Sequence, residues 1–273
     1  MSGLAVERVG EPASPRVVWF VHGILGRGRN WRSFARRAVA EFPSFRALAV
    51  DLRCHGDTPP LPPPHDLAAC AADLEALATL GDPPDVVIGH SFGGKVILDW
   101  ARATAAATDP ALWVLDSPPG PGDSGGESER ILALLRAAPT GPAPADRATL
   151  AAPLRAAGIA EPIVQWLLTS AVRGPDGWRW GWDLDGIDAL LADYLRTDLW
   201  GYVEATDREV QLVRAGRSDR WTADDRARFD RLSLPGRPGR VTAHLVPDVG
   251  HWLHVDDPEA VWSLLRPSFA DRR

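Results

Sequence analysis

Five consecutive apolar residues, Val17-Val18-Trp19-Phe20-Val21, stop abruptly at His22-Gly23. A short unbroken run rich in β-branched and aromatic residues predicts a strand buried on both faces. The same pattern predicts strands at Ala47–Val50, Val86–Ile88, Leu112–Leu115, Val210–Val213 and Val241–Val246. Segments with helical spacing lie among them: Trp31–Ala40, Leu67–Leu80, Phe92–Ala107, Ala223–Leu232 and Pro258–Leu265. Strands alternating with helices predict an α/β protein, with a mostly parallel sheet covered by helices on both faces.

The alternation breaks between Leu115 and Glu209, where no buried strand is evident. Helical spacing there covers Ser128–Ala138, Asp146–Ala157, Glu161–Ala171 and Asp185–Arg196, with Pro/Gly-rich flanks at Ser117–Gly126 and Thr140–Ala145. A helical stretch of that size between two core strands predicts a cap over the carboxyl edge of the sheet. The expected division is a core of residues 1–116 and 206–273, with an inserted cap at 117–205. The run Pro59-Pro60-Leu61-Pro62-Pro63-Pro64 is expected to be a stiff extended loop leading into the next helix.

Composition narrows the class. With 45% hydrophobic and 24% charged residues among 273, the chain is not a disordered one. No apolar run reaches the ~18 residues of a membrane span. Thirty basic against 36 acidic residues give a net charge of −6, without a basic stripe, which argues against nucleic acid as a partner. Arg36-Arg37 and Arg272-Arg273 are too short to change that. Cys54 and Cys70 are too few for a disulfide framework and are expected to be free thiols. Met1–Val9 lacks a basic start followed by an apolar stretch, so no secretion signal is expected and the chain reads as soluble and cytoplasmic.

Chemistry concentrates after three of the predicted strands. Gly89-His90-Ser91-Phe92-Gly93 has the G-x-S-x-G form between a strand and a helix, a turn that exposes a serine at a sharp corner. His22-Gly23-Ile24-Leu25-Gly26 follows the first buried strand and can supply a second backbone N–H beside the serine. The expected oxyanion hole is therefore the N–H groups of Ile24 and Phe92. The serine needs a base, and His251, in the late loop Val249-Gly250-His251-Trp252, is the candidate. Two aspartates at strand ends, Asp116 and Asp219, can orient that histidine. His22, Arg53 and His55 are expected to brace loops, and Lys95 to bond neighbouring loops from the helix start. No metal site and no cofactor are expected, because no His/Cys/Asp cluster has ligand spacing along the chain.

With these motifs in place the chain resembles the α/β-hydrolase superfamily from about Val17 to Leu265. More narrowly it resembles the YbfF-type esterases and their plant and animal relatives. The residues that carry this are His22–Gly26, Asp51-Leu52-Arg53-Cys54-His55-Gly56-Asp57, Gly89–Lys95, Leu115-Asp116-Ser117-Pro118, Trp182-Asp183-Leu184-Asp185-Gly186 and Gly250-His251-Trp252-Leu253-His254. The narrower resemblance implies Asp116 as the acid, while the wider superfamily pattern points to Asp219. The implied activity is a serine hydrolase acting on short to medium acyl esters. An acyl-thioesterase or carbon–carbon bond hydrolase, and a ligand receptor on a hydrolase scaffold, are the alternatives. The implied partner is a small acyl ester or thioester, and nothing predicts an oligomeric state. The 12 tryptophans, against 2 tyrosines, add an expectation of an aromatic acyl pocket, with Trp178, Trp182 and Trp252 as its wall.

Overall fold

The computed structural model describes residues 3–104, 109–123, 126–137, 143–232 and 240–270. Its strands are β1 (Ala5–Val9), β2 (Arg16–Val21), β3 (Phe45–Asp51), β4 (Val86–His90), β5 (Ala111–Leu115), β6 (Ala171–Gly174), β7 (Gly177–Trp180), β8 (Val210–Ala215) and β9 (Val241–Val246). Seven of them form one sheet in the order β1-β3-β2-β4-β5-β8-β9, parallel except for β1, while β6 and β7 form a separate hairpin. Before the insertion the helices are α1 (Arg32–Glu41), α2 (Leu67–Thr79) and α3 (Phe92–Ala103). Within it lie α4 (Glu127–Arg136), α5 (Arg147–Leu150), α6 (Ala152–Ala156), α7 (Glu161–Leu168), α8 (Leu184–Arg196) and α9 (Trp200–Ala205). Three follow: α10 (Ala223–Leu232), α11 (Leu253–Asp256) and α12 (Pro258–Leu265).

The unbroken apolar runs are explained by a sheet covered on both faces. Val17, Trp19 and Val21 point into one core with residues of α2, α3 and the insertion. Val18 and Phe20 point into the other, with α1 and α12. This is the doubly wound α/β sheet with inserted helices that the sequence predicts.

Several elements differ from expectation. β1 was not anticipated because Glu7 and Arg8 interrupt it; an antiparallel edge strand covered on one face tolerates them. β9 is an edge strand and only part-buried, not enclosed on both faces. The single helix expected over Asp146–Ala157 breaks at Ala151, and α6 restarts with Pro153 in its first turn, where a missing N–H costs nothing. The helix expected to reach Ala171 stops at Leu168, and Ala171 opens the β6–β7 hairpin. The helix from Phe92 ends at Ala103 with Thr104 extended, and the rest of its expected span, residues 105–107, lies outside the described residues, as do Ala138, Thr140 and Arg272-Arg273.

β2 and β4 are neighbours, yet β3 lies on the far side of β2 and β5 on the far side of β4. The chain therefore leaves these two strands in opposite directions, which opens a crevice beyond their carboxyl ends. The loop after Val21 and the corner after His90 border that crevice, since Val21 pairs with Gly89. Among the described residues no helix is long and apolar enough to cross a membrane.

Candidate active site

Ser91 stands between β4 and α3 with φ 52° and ψ −123°, a strained conformation for a residue with a side chain. Both glycines of the motif are required by close approach. A Cβ on Gly89 would lie 2.5 Å from the Gly93 carbonyl, and one on Gly93 would lie 2.5 Å from the His22 carbonyl. Ser91 Oγ is 3.0 Å from His251 Nε2, and His251 Nδ1 is 2.7 Å from Asp116 Oδ2. The ring thus donates Nδ1–H to the carboxylate and presents Nε2 as acceptor for the serine hydroxyl.

The structure brings Asp116, not Asp219, to His251. Asp116 is fully buried at the end of β5, with φ 44°. Its Oδ1 accepts hydrogen bonds from Ala215 N at 3.0 Å and Trp221 Nε1 at 2.8 Å. Three donors on one buried carboxylate are what a desolvated charge requires. Asp219 has an 88% exposed side chain that pairs with Arg220. Trp221, in the same loop, was not anticipated from the sequence; only its place after β8 could have signalled it.

Ile24 and Phe92 both line the cavity that contains Ser91. Neither backbone N–H has a hydrogen-bond acceptor among the described residues. The Phe92 N–H belongs to the first turn of α3, where helical geometry leaves donors unpaired. Two buried histidines hold the loop that carries Ile24. His22 donates Nδ1–H to the Gly23 carbonyl and accepts from Leu52 N at Nε2, while His55 donates Nδ1–H to the Arg53 carbonyl and accepts from Leu25 N. Burial pulls His22 down to about 4 and His55 to about 3, which keeps both rings neutral.

A third histidine positions His251 itself. His90 Nε2 donates to the His251 carbonyl at 2.8 Å, and burial beside His254 and His251 holds its pKa well below the ordinary histidine value. His254 stacks on Trp31 at 4.6 Å and is pulled down to about 3 by burial, so it packs and does not reach the serine. Cys54 and Cys70 are free, and burial pushes both thiols up, Cys54 to about 12, so without a bound ion both stay protonated at neutral pH.

Lys95, one turn into α3, is completely buried and donates to the carbonyls of Gly120, Tyr194 and Thr197. It therefore ties the helix that carries Ser91 to the insertion. Burial pulls its pKa down to about 8, against the opposing pull of Asp225, Asp198 and Asp193.

The cavity at Ser91 has a volume of about 210 Å³. Phe92, Leu191, Tyr194 and Leu195 give it an apolar wall, and Asp123, Glu129, Asp219 and Arg220 lie at its rim. Trp252 and Trp166 meet edge-on at 4.5 Å in the adjoining recess beside His251. Trp182 and Trp178 are not brought there, a correction to the expected pocket wall. Trp182 stacks on Trp180 and faces a separate cleft beside Cys54, and Trp178 lies under the Arg147 guanidinium. Their sequence neighbourhood placed them in the insertion but could not say which side of the hairpin faces the serine.

Residues 20–264 match the family described as "Alpha/beta hydrolase family". The chain is 28% identical to the mouse sn-1-specific diacylglycerol lipase ABHD11 over 254 residues, covering 92% of this chain and 79% of that protein. It is 29% identical to the esterase YbfF of Escherichia coli, covering 90% of each. Among solved structures, a marine microorganism esterase superposes with a TM-score of 0.79 at 23% identity, covering 97% of this chain and 98% of that one.

Proposed function

The chain belongs to the alpha/beta hydrolase family, and from that premise we propose that it is a serine hydrolase cleaving carboxylic esters of short acyl groups. One observation carries the reading: the unbroken relay Ser91–His251–Asp116, with contacts of 3.0 and 2.7 Å. In this mechanism His251 Nε2 takes the hydroxyl proton as Ser91 Oγ attacks the acyl carbonyl. The buried Asp116 carboxylate stabilises the imidazolium that forms. The oxyanion sits between the Ile24 and Phe92 N–H groups, donors already in place before the charge develops. His251 then protonates the departing alkoxide, and a water deprotonated by the same nitrogen hydrolyses the acyl-enzyme.

Residues 117–205 act as the cap in this reading, with α8 supplying Leu191, Tyr194 and Leu195 to the pocket wall. A cavity of about 210 Å³ is small beside the ~300–1,000 Å³ of pockets for drug-sized ligands, which favours short acyl chains. Three carboxylates against one guanidinium at the rim disfavour a thioester on a phosphate-bearing carrier. The names of the relatives, an esterase and a lipase, agree with ester hydrolysis.

The test is turnover of a p-nitrophenyl ester series from acetate to decanoate by wild type and Ser91→Ala. The expected result is a maximum at the short end and a loss of about 10⁶ in kcat in the variant. Equal hydrolysis by both proteins at every chain length contradicts the reading.

A further inference from the structure

Away from Ser91, three side chains from distant parts of the chain converge. Cys54 follows β3, His65 ends the proline-rich loop before α2, and Asp183 is the N-cap of α8. Cys54 Sγ lies 3.5 Å from His65 Nδ1, and His65 Nε2 lies 3.8 Å from Asp183 Oδ2. One ligand atom from each of the three falls within 4.8 Å of the others, the one such group among the described residues. Tetrahedral zinc, with bonds of about 2.3 Å to sulfur and about 2.0 Å to nitrogen, sets the S···N edge at roughly 3.5 Å. The Cys54–His65 pair already has that edge at Nδ1; Asp183 Oδ2 faces the other ring nitrogen, so its carboxylate has to swing toward Nδ1, from within 4.8 Å, to complete the triangle.

Neighbouring bonds hold these side chains in place. The guanidinium of Arg53 donates to the carbonyls of Pro62 and Pro64 and to Asp73, which fixes the turn that ends in His65. Asp183 N donates to the Cys54 carbonyl at 3.1 Å. Asp183 Oδ1 accepts from Gly186 N at 3.0 Å, which turns Oδ2 toward His65. Supports of this kind orient metal ligands in known sites.

The second observation is the glycine itself. Gly186 lies in the first turn of α8, where glycine has no capping or turn role to fill. A Cβ there would collide with Cys54 Sγ and come within 2.7 Å of Asp183 Oδ2. The missing methyl keeps open the space between sulfur and carboxylate.

We propose that Cys54, His65 and Asp183 form a binding site for Zn²⁺. A thiolate, a neutral imidazole and a carboxylate suit zinc and not the oxygen-seeking Mg²⁺ or Ca²⁺. The two negative ligands balance the ion, and the displaced thiol proton goes to solvent. The fourth position opens on a cleft of about 240 Å³ beside Trp182 and Arg179, where water completes the tetrahedron. Because Cys54 and His65 belong to the sheet side and Asp183 to the insertion, the ion clamps α8 onto the loop after β3. None of the three lines the Ser91 cavity, so the site is separate from the catalytic groups.

The test uses the full chain, stripped with a chelator and titrated with Co²⁺ as a spectroscopic stand-in. One equivalent should bring up thiolate-to-cobalt charge-transfer absorption and the strong visible bands of four-coordinate cobalt, and one equivalent of Zn²⁺ should abolish both. Cys54→Ser should remove the charge-transfer band and weaken zinc binding by roughly 100-fold or more. Gly186→Ala, which keeps all three ligands, should weaken it comparably, and His251→Ala should leave it unchanged. Absence of the band in wild type overturns the proposal whatever the variants do. So does a band that survives in Cys54→Ser, or zinc binding in Gly186→Ala as tight as in wild type.

Discussion

Ser91 is held in a backbone conformation that costs about 1–3 kcal/mol, between glycines whose close packing against the Gly93 and His22 carbonyls fixes the turn. That strain points the hydroxyl at His251. The same economy of position decides which aspartate serves. Asp116 and Asp219 both follow strands and look alike in sequence, because a strand end does not show which way the next loop turns. In the structure the loop after β8 contributes Trp221 to the carboxylate of Asp116, while Asp219 points to solvent. Asp116→Asn should lower kcat by about 10⁴, because the amide oxygen stays with the Ala215 and Trp221 donors and its NH2 then faces Nδ1, holding the ring in the wrong tautomer. Asp219→Asn should leave kcat within about twofold; steady-state kinetics of the two variants on one short ester check this, and the reverse ranking contradicts it. Ser91, His251 and the strand-end loops were legible in the sequence because each motif sits directly after an apolar run. Trp221 and His90 were not, since their roles depend on contacts between loops far apart in the chain.

At the level of elements, the strands of the parallel sheet were the most legible part, for burial on both faces leaves an unbroken apolar signature. β1 and the β6–β7 hairpin lack it: each has a face in solvent, and their charged residues mask the alternation. The insertion was visible as an interruption, but its inner face was not, so Trp178 and Trp182 were expected beside Trp252 at a pocket that Phe92 and Tyr194 border in their place. The link between insertion and sheet that most depends on one side chain is Lys95. Its ammonium satisfies three carbonyls, from the loop at Gly120, the end of α8 and Thr197 beyond it. Lys95→Met keeps the aliphatic volume but leaves those acceptors unpaired. It should destabilise the protein by about 3 kcal/mol or more, lowering Tm by roughly 6 °C or more. Thermal unfolding followed by circular dichroism measures this, and a Tm within about 1 °C of wild type contradicts it.

Across the whole molecule, four of the described histidines are buried and held neutral. His22 is pulled down to about 4, His55 and His254 to about 3, and His90 shifts in the same direction. In the unfolded chain each titrates near 6.5. Between those values the unfolded state binds more protons than the folded one, so stability rises with pH across that window and is lost as pH falls through it. Melting temperature should therefore drop steadily from about pH 6.5 toward pH 4, and a flat profile over that range contradicts the assignment of neutral, buried rings. These rings pack the loops around Ser91, so the acid sensitivity of the fold and the geometry of the site have one origin. If Ser91 is the nucleophile of an esterase, it should react with a fluorophosphonate as a substrate mimic. The most direct measurement is intact-mass and peptide-mapping analysis after treatment with a fluorophosphonate ester, run alongside residual activity on a short p-nitrophenyl ester. A single phosphonyl adduct should form on Ser91, accumulating in step with loss of activity and absent from Ser91→Ala. An unmodified Ser91 in fully inactivated protein, or full activity with Ser91 completely modified, would contradict it.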